Sequence, residues 1–156
     1  MKYFTIEELE HSDTAVKNGI DNTSNGETRT NLIHLIEDLL DKVRERWGHP
    51  LRVNSGYRCS RLNKMVGGVP NSQHVLGEAA DITAGNPEKN KMLYELIIEM
   101  MEKEGLLFDQ SILEDNAKWI HISYKWKEIK KNRKQLLVAT RGKNGKMYYT
   151  KYLNTK

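Results

Sequence analysis

Residues 71–81 read NSQHVLGEAAD, and the chain continues into ITA at 82–84. Asn, Ser and Gly break the stretch too often for one long strand, and Gly and Ala make it too sparse for a plain amphipathic helix. It reads as a loop holding His74 that runs into a strand, EAADITA, with Asp81 at the head of its apolar-alternating run. Two side chains able to ligate a metal then stand on adjoining elements. A turn that is polar without any chemical purpose is the competing reading, and the surrounding sequence has to choose.

Upstream, LRVNS at 51–55 has the look of a short strand, and GYRCSRLNKMV a short helix before the loop GGVPNSQ. Earlier still, FTIEELEHS sets Glu8 three positions after Thr5, a capping-box pattern that opens a short helix. NGIDNTSNGET at 18–28 reads as a loop. From Arg29 to Trp47 a long helix is expected: Leu32, Leu35, Ile36, Leu39, Leu40, Val43 and Trp47 recur on one face, and Gly48 and Pro50 stop it.

Downstream, Asn86-Pro87 opens a second long helix through about Lys103, with Leu93, Leu96, Ile97, Met100 and Met101 on its apolar side. FDQSIL and WIHISY are strands of a hairpin turned at EDNAK. LLVAT and KMYYT, around RGKNGK, form a last hairpin or tail. This order predicts an α+β domain on a small, largely antiparallel sheet with flanking helices.

Length and composition limit the function classes. The chain of 156 residues suits one domain, 1–156, with its motifs in 51–125 and a basic extension in 125–156. One cysteine, Cys59, excludes an intrachain disulfide framework, and no thiol–histidine pairing is evident beside it. No run approaches the apolar length of a membrane span and the start, MKYFTIEELEHSD, lacks a signal peptide, so no membrane insertion and a cytoplasmic protein as synthesised are expected. The net charge of +4 gathers in KWKEIKKNRK at 125–134, a solvated surface by its pattern. Without base-stacking aromatics interleaved, it gives no reason to expect nucleic acid as a partner. A monomer is expected.

Of five histidines, His11 and His49 lie near helix ends and His34 beside the long helix's apolar stripe. His121 differs. Alternation in WIHISY puts Trp119, His121 and Ser123 on one strand face and the isoleucines on the other, so His121 turns away from the core. Two histidines and a carboxylate with an open position form a known catalytic zinc set, and Zn2+ suits imidazole and carboxylate donors. From spacing alone, His74, Asp81 and His121 are a candidate set beside the plain alternative of a polar loop and a strand histidine. HExxH is absent.

The residues SGYRCSRLNKMVGGVPNSQHVLGEAADI at 55–82, followed by WIHIS at 119–123, resemble the zinc D-alanyl-D-alanine carboxypeptidase family. Peptidoglycan D,D-carboxypeptidases and phage endolysin peptidases belong to it, and hedgehog signalling domains share its scaffold. The opening FTIEELEHSDTAVKNGIDN is similar to the start of its short members. The motif SxHxxGxAxD stands in full as Ser72, His74, Gly77, Ala79 and Asp81.

The resemblance implies one zinc ion held by His74, Asp81 and His121, hydrolysis of peptide bonds in peptidoglycan stem peptides, and Arg58 on the substrate's carboxylate or carbonyl. It places Ser72 and Gln73 where they bond substrate backbone or orient the ligands. A phage-derived member would be released to the cell wall. The chain departs from the family at Lys118. Several members carry an acidic residue there, three positions before the last histidine, and a lysine cannot serve as the base. Glu114, at the end of FDQSILE, matches the glutamate of hedgehog domains and is the expected base; Asp115 is the second candidate, and Asp109 is expected as a hydrogen-bond partner behind the ligands. The competing function is a zinc-containing binding module of the same fold without hydrolysis.

Overall fold

The computed structural model describes residues 1–153. Its centre is one six-stranded sheet in the order β1-β2-β4-β3-β5-β6. The strands are β1 Arg52–Ser55, β2 Ala79–Thr83, β3 Gln110–Glu114, β4 Trp119–Ser123, β5 Gln135–Arg141 and β6 Met147–Lys151. Neighbours run antiparallel except β3 and β5, which are parallel. The α+β architecture with a largely antiparallel sheet is thus as expected.

The helices are α1 Ile6–Glu10, α2 Asp13–Lys17, α3 Gly26–His34, α4 Asp41–Trp47, α5 Ser60–Met65 and α6 Pro87–Glu104. A π-helical segment, Leu35–Leu40, joins α3 to α4 in one continuous rod. The rod begins at Gly26, inside the stretch expected to be loop. The hydroxyl of Thr28 accepts the amide of Asn25 and starts the helix before any apolar repeat shows. Helix α2 was likewise outside expectation, and its only local signal is Ser12, whose hydroxyl accepts the Ala15 amide. Thr5 caps α1 in the expected way, accepting the amide of Glu8 at 3.1 Å.

One face of the sheet meets the helices. Leu32, Leu35, Ile36 and Leu39 of the rod, Leu93 and Ile97 of α6, and Ile82, Ile120 and Ile122 of the sheet are fully buried together. Truncating any of these large side chains to alanine costs about 2–5 kcal/mol. At the end of the π segment Asp41 accepts the amides of Lys2, Tyr3 and Phe4, fastening the N-terminus to this core.

The opposite face keeps its polar side chains. Opposed residues share a face, so the pairs Asp81–His121, His121–Ile112 and Trp119–Glu114 put all five residues on that side. The expected alternation in WIHIS holds: Ile120 and Ile122 are at 0% exposure while His121 faces the other way.

The segment from 125 onwards is not an appendage. A 3-10 turn at Ile129–Lys131 leads into β5, which adds to β3 in parallel, and β6 closes the sheet's edge. Several of its charges are partnered: Lys127 with Glu27, Lys131 with Glu128, Arg133 with Asp109. Trp126 stacks on His34 with ring centres 3.7 Å apart, anchoring the start of the segment to α3.

Candidate metal centre and its cleft

His74, Asp81 and His121 each aim one donor atom at the same point, and the three atoms lie within 4.8 Å of one another. Asp81 and His121 meet as a register pair on β2 and β4. His74 arrives from the loop that precedes β2. Two glycines let that loop seat. Gly77 sits at φ +74°, and a side chain there would run into the Thr28 carbonyl. Gly56 packs so tightly on the Leu9 backbone that no Cβ fits, and its carbonyl oxygen accepts His74 Nδ1 at 2.7 Å.

That contact fixes one tautomer. A carbonyl only accepts, so His74 Nδ1 carries a hydrogen, and in the neutral ring the lone pair is then on Nε2, 3.3 Å from Asp81 Oδ1. The other ring is fixed by Gln73. Its amide nitrogen donates to Asp109 Oδ2 at 2.8 Å, so its oxygen faces His121 Nε2 at 3.2 Å and accepts. The Nδ1 lone pair of His121 then points at Asp81 Oδ1, 3.1 Å away. Two lone-pair nitrogens converging on a carboxylate oxygen repel one another unless a cation lies between them. Neutral imidazoles and an ionised carboxylate, three protein donors with an open position, are the chemistry that zinc takes in hydrolytic sites.

Burial by itself would push the Asp81 carboxyl up. With no cation between them, it is as proton-bearing rings that His74 and His121 outweigh that, by charge and hydrogen bond, and hold it far below the ordinary carboxylate range. Behind Gln73, Asp109 is at 0% exposure and accepts the Arg133 amide and two guanidinium N–H groups. A chain of contacts thus runs His121–Gln73–Asp109–Arg133. Both ends of the Gln73 amide are used in it, which is the ligand-orienting option of the two expected for this residue.

The donors sit in an open cleft of about 810 Å³ that also exposes Arg58, Ser72, Glu114, Tyr149 and the loop around Gly67 and Gly68. Glu114 is 7% exposed. Burial is the main cause that pushes its carboxyl up to about 7; the His121 charge pulls down, and Asp81 and Asp115 push up further. Its position is enforced by the turn after β3. Asp115, Asn116 and Ala117 all take positive φ, 46°, 60° and 66°, a run that non-glycine residues adopt only under constraint. The constraint is Asn90 of α6, fully buried, whose amide donates to the carbonyls of Ala117 and Lys118.

Asp115 does not share this setting. Hydrogen bonds from Arg141 and Lys118 hold its carboxyl low, and its side chain is occupied by both. Lys118 is spent on that ion pair. Arg58 reaches Ser72 Oγ at 3.5 Å, and its Nε lies buried without a partner. Burial lowers the guanidinium's pKa, and the Asp81 charge raises it in return. Cys59 is free, and its amide bonds the Asn22 side chain.

Three contributors escaped the sequence reading. The Gly56 carbonyl is a backbone group, and no residue type announces it. Arg133 looked like one more charge in a lysine-rich run. Tyr149 enters only because β5 and β6 belong to the sheet, which local pattern does not reveal.

Among the described residues no helix is long and apolar enough to cross a membrane. A curated protein, the zinc D-Ala-D-Ala carboxypeptidase of Streptomyces albus G, is 49% identical over 37 residues, which is 24% of this chain and 14% of that protein. The chain thus matches a small part of that relative's length. The family model described as Peptidase M15 matches residues 2–123, a span that includes all three donor residues, Arg58 and Glu114. The chain belongs to the peptidase M15 family.

Proposed function

We propose that this protein is a zinc-dependent peptidase that hydrolyses peptide bonds in the stem peptides of peptidoglycan. One observation carries the reading: three lone-pair donors converge on a point in a cleft that also holds a buried carboxyl group with its pKa near neutrality. The substrate class follows from the named relative, a zinc D-Ala-D-Ala carboxypeptidase.

His74, Asp81 and His121 hold one zinc ion, which when bound supplies Lewis acidity at the reacting carbonyl. Glu114 takes the proton of the attacking water and passes it to the leaving amine. A carboxyl near 7 does both, since its two protonation states are each populated near neutral pH. The bond to the amine breaks as the amine gains that proton, and the new acid is released as carboxylate. Arg58, which lines the cleft with one guanidinium nitrogen on Ser72 Oγ, binds a carboxylate or carbonyl of the substrate by its planar fork. Gln73 and Asp109 keep His121 in the ligating tautomer. Ser72 holds the loop, accepting the His74 amide at 3.2 Å.

The test is zinc content together with hydrolysis of purified peptidoglycan fragments, for wild type and Glu114→Gln in parallel. One zinc per chain in both, with cleavage only in wild type, supports the reading. The products tell a terminal D-alanine release from an internal cut. One zinc in both with no cleavage of either kind overturns it in favour of a binding module.

A further inference from the structure

The matched family residues stop at 123, yet the cleft does not. Its far wall is the β5–β6 hairpin, through Leu137, Arg141, Met147 and Tyr149. The register shows how these side chains arrive. Leu137 lies opposite Ile112, and Ile112 opposite His121, so Leu137 is in the row of the metal donors. One row along, Trp119 pairs with Glu114, and one step beyond the Leu113–Val138 pair Ala139 falls beside Glu114. Ala139 in turn pairs with Tyr149.

Trp119, Glu114, Ala139 and Tyr149 thus form one row across four strands on one face. Strands lie about 4.8 Å apart, so Glu114 and Tyr149 are about 10 Å apart along the row. Between them lies Ala139, fully covered by its neighbours, so the side chains that reach the cleft from this row are those of Glu114 and Tyr149. Arg141, the other polar group on this wall, is occupied by Asp115 and by the Gly145 carbonyl. Tyr149, 55% exposed, brings its phenol O–H to the cleft from this wall. Its surroundings favour the protonated phenol: burial in the cleft first, then the negative charges of Glu114 and Asp81.

We infer that Tyr149 is a substrate-contacting residue: its phenol donates a hydrogen bond to a backbone carbonyl of the bound peptide beyond the cut bond, so that the hairpin favours a chain that extends over β5 and β6 against a bare dipeptide. The inference rests on the peptidase reading and adds the direction in which substrate lies. Arg58 holds one side of the reacting bond, and Tyr149 the chain on the other.

The experiment measures binding calorimetrically on the zinc-loaded Glu114→Gln protein, alone and combined with Tyr149→Phe or Tyr149→Ala. The ligands are a peptidoglycan stem pentapeptide and D-alanyl-D-alanine. Removing the phenol O–H weakens the pentapeptide about 5- to 10-fold, as for one neutral hydrogen bond, and leaves the dipeptide's Kd and the zinc content unchanged. Tyr149→Ala weakens it at least as much. An unchanged pentapeptide Kd in both variants overturns the inference, as does an equal loss for the dipeptide, which would move the contact to the reacting bond. If the parent binds neither peptide and wild type cleaves neither, the peptidase reading itself has failed, and the inference with it.

Discussion

The two ends of the β3 region hold carboxyl groups that differ in almost every physical respect. Asp109, just before the strand, is fully buried and surrounded by donors: the Gln73 amide, the Arg133 backbone and the Arg133 guanidinium. Burial alone would raise it, but these bonds win and keep it low. Glu114, at the other end, is nearly as buried, and burial wins there, pushing it up to about 7. One strand therefore presents a permanent anion that holds a ligand in place and a carboxyl group that can gain and lose a proton. Where two titratable groups are pushed apart like this, their chemical roles divide the same way.

The largest expected effect comes from removing the group that titrates. Glu114→Gln keeps shape and burial and removes proton transfer, so kcat for stem-peptide hydrolysis falls about 10³-fold with zinc content unchanged. Steady-state kinetics with metal analysis on the same samples checks this. A variant that retains activity within tenfold would break the contrast at its active end.

The anion's variant acts elsewhere. Asp109→Asn removes the acceptor that orients Gln73, and through it the His121 tautomer. Zinc affinity is expected to fall about 10-fold, with kcat at saturating zinc reduced much less. Competition with a chelator of known affinity measures it. Equal zinc affinity would mean that the contact chain behind His121 does not act on the metal.

The same contrast has a signature in the metal-free protein, with opposite signs. The Asp109 carboxyl is lowered on folding, so its contribution to stability is present above its ordinary value of 3.8 and lost as pH falls through the folded value. That of Glu114 is raised from 4.5 to about 7, so the folded state binds the proton more tightly and stability falls as pH rises across that window. Thermal unfolding in chelator should show wild type losing about 5 °C relative to Glu114→Gln between pH 4.5 and 7.5. Parallel curves for the two proteins would show that burial does not raise Glu114.

How far the sequence could be read follows from the range of each interaction. The meeting of His74, Asp81 and His121 was legible because motif and strand alternation are local, and alternation alone put His121 opposite the isoleucines. Both long helices were legible from their apolar stripes, and the β3–β4 hairpin from its turn. The start of α3 was missed by three residues, since a Thr28–Asn25 contact set it and not an apolar repeat. Helix α2, five residues capped by Ser12, is too short to show a period. The parallel pairing of β5 with β3 was beyond reach because it joins residues about 25 apart by hydrogen bonds that any side chain permits. That pairing decides whether Tyr149 and Arg141 meet the site at all, so the cleft's far wall was invisible while its candidate metal donors were not.

The smallest expected effect falls at the neighbour of Glu114, and it sharpens the contrast most. Asp115 is one residue away, is also shielded from solvent, and was the second candidate for the base. Yet its carboxylate is bonded by Arg141 and Lys118, which lower its proton affinity, and it stands at φ 46° in the turn beyond the strand. A carboxylate held charged by two cations is a poor proton acceptor near neutral pH, because gaining the proton means giving up both partners. Asp115→Asn should therefore leave kcat within about 3-fold of wild type, since an asparagine still accepts from one of the two partners and also tolerates the left-handed backbone. Its pH–rate profile should keep the wild-type acid limb, because the group that titrates there is Glu114. A loss as deep as that of Glu114→Gln would transfer the base to Asp115 and make the raised Glu114 carboxyl a packing feature of the cleft floor.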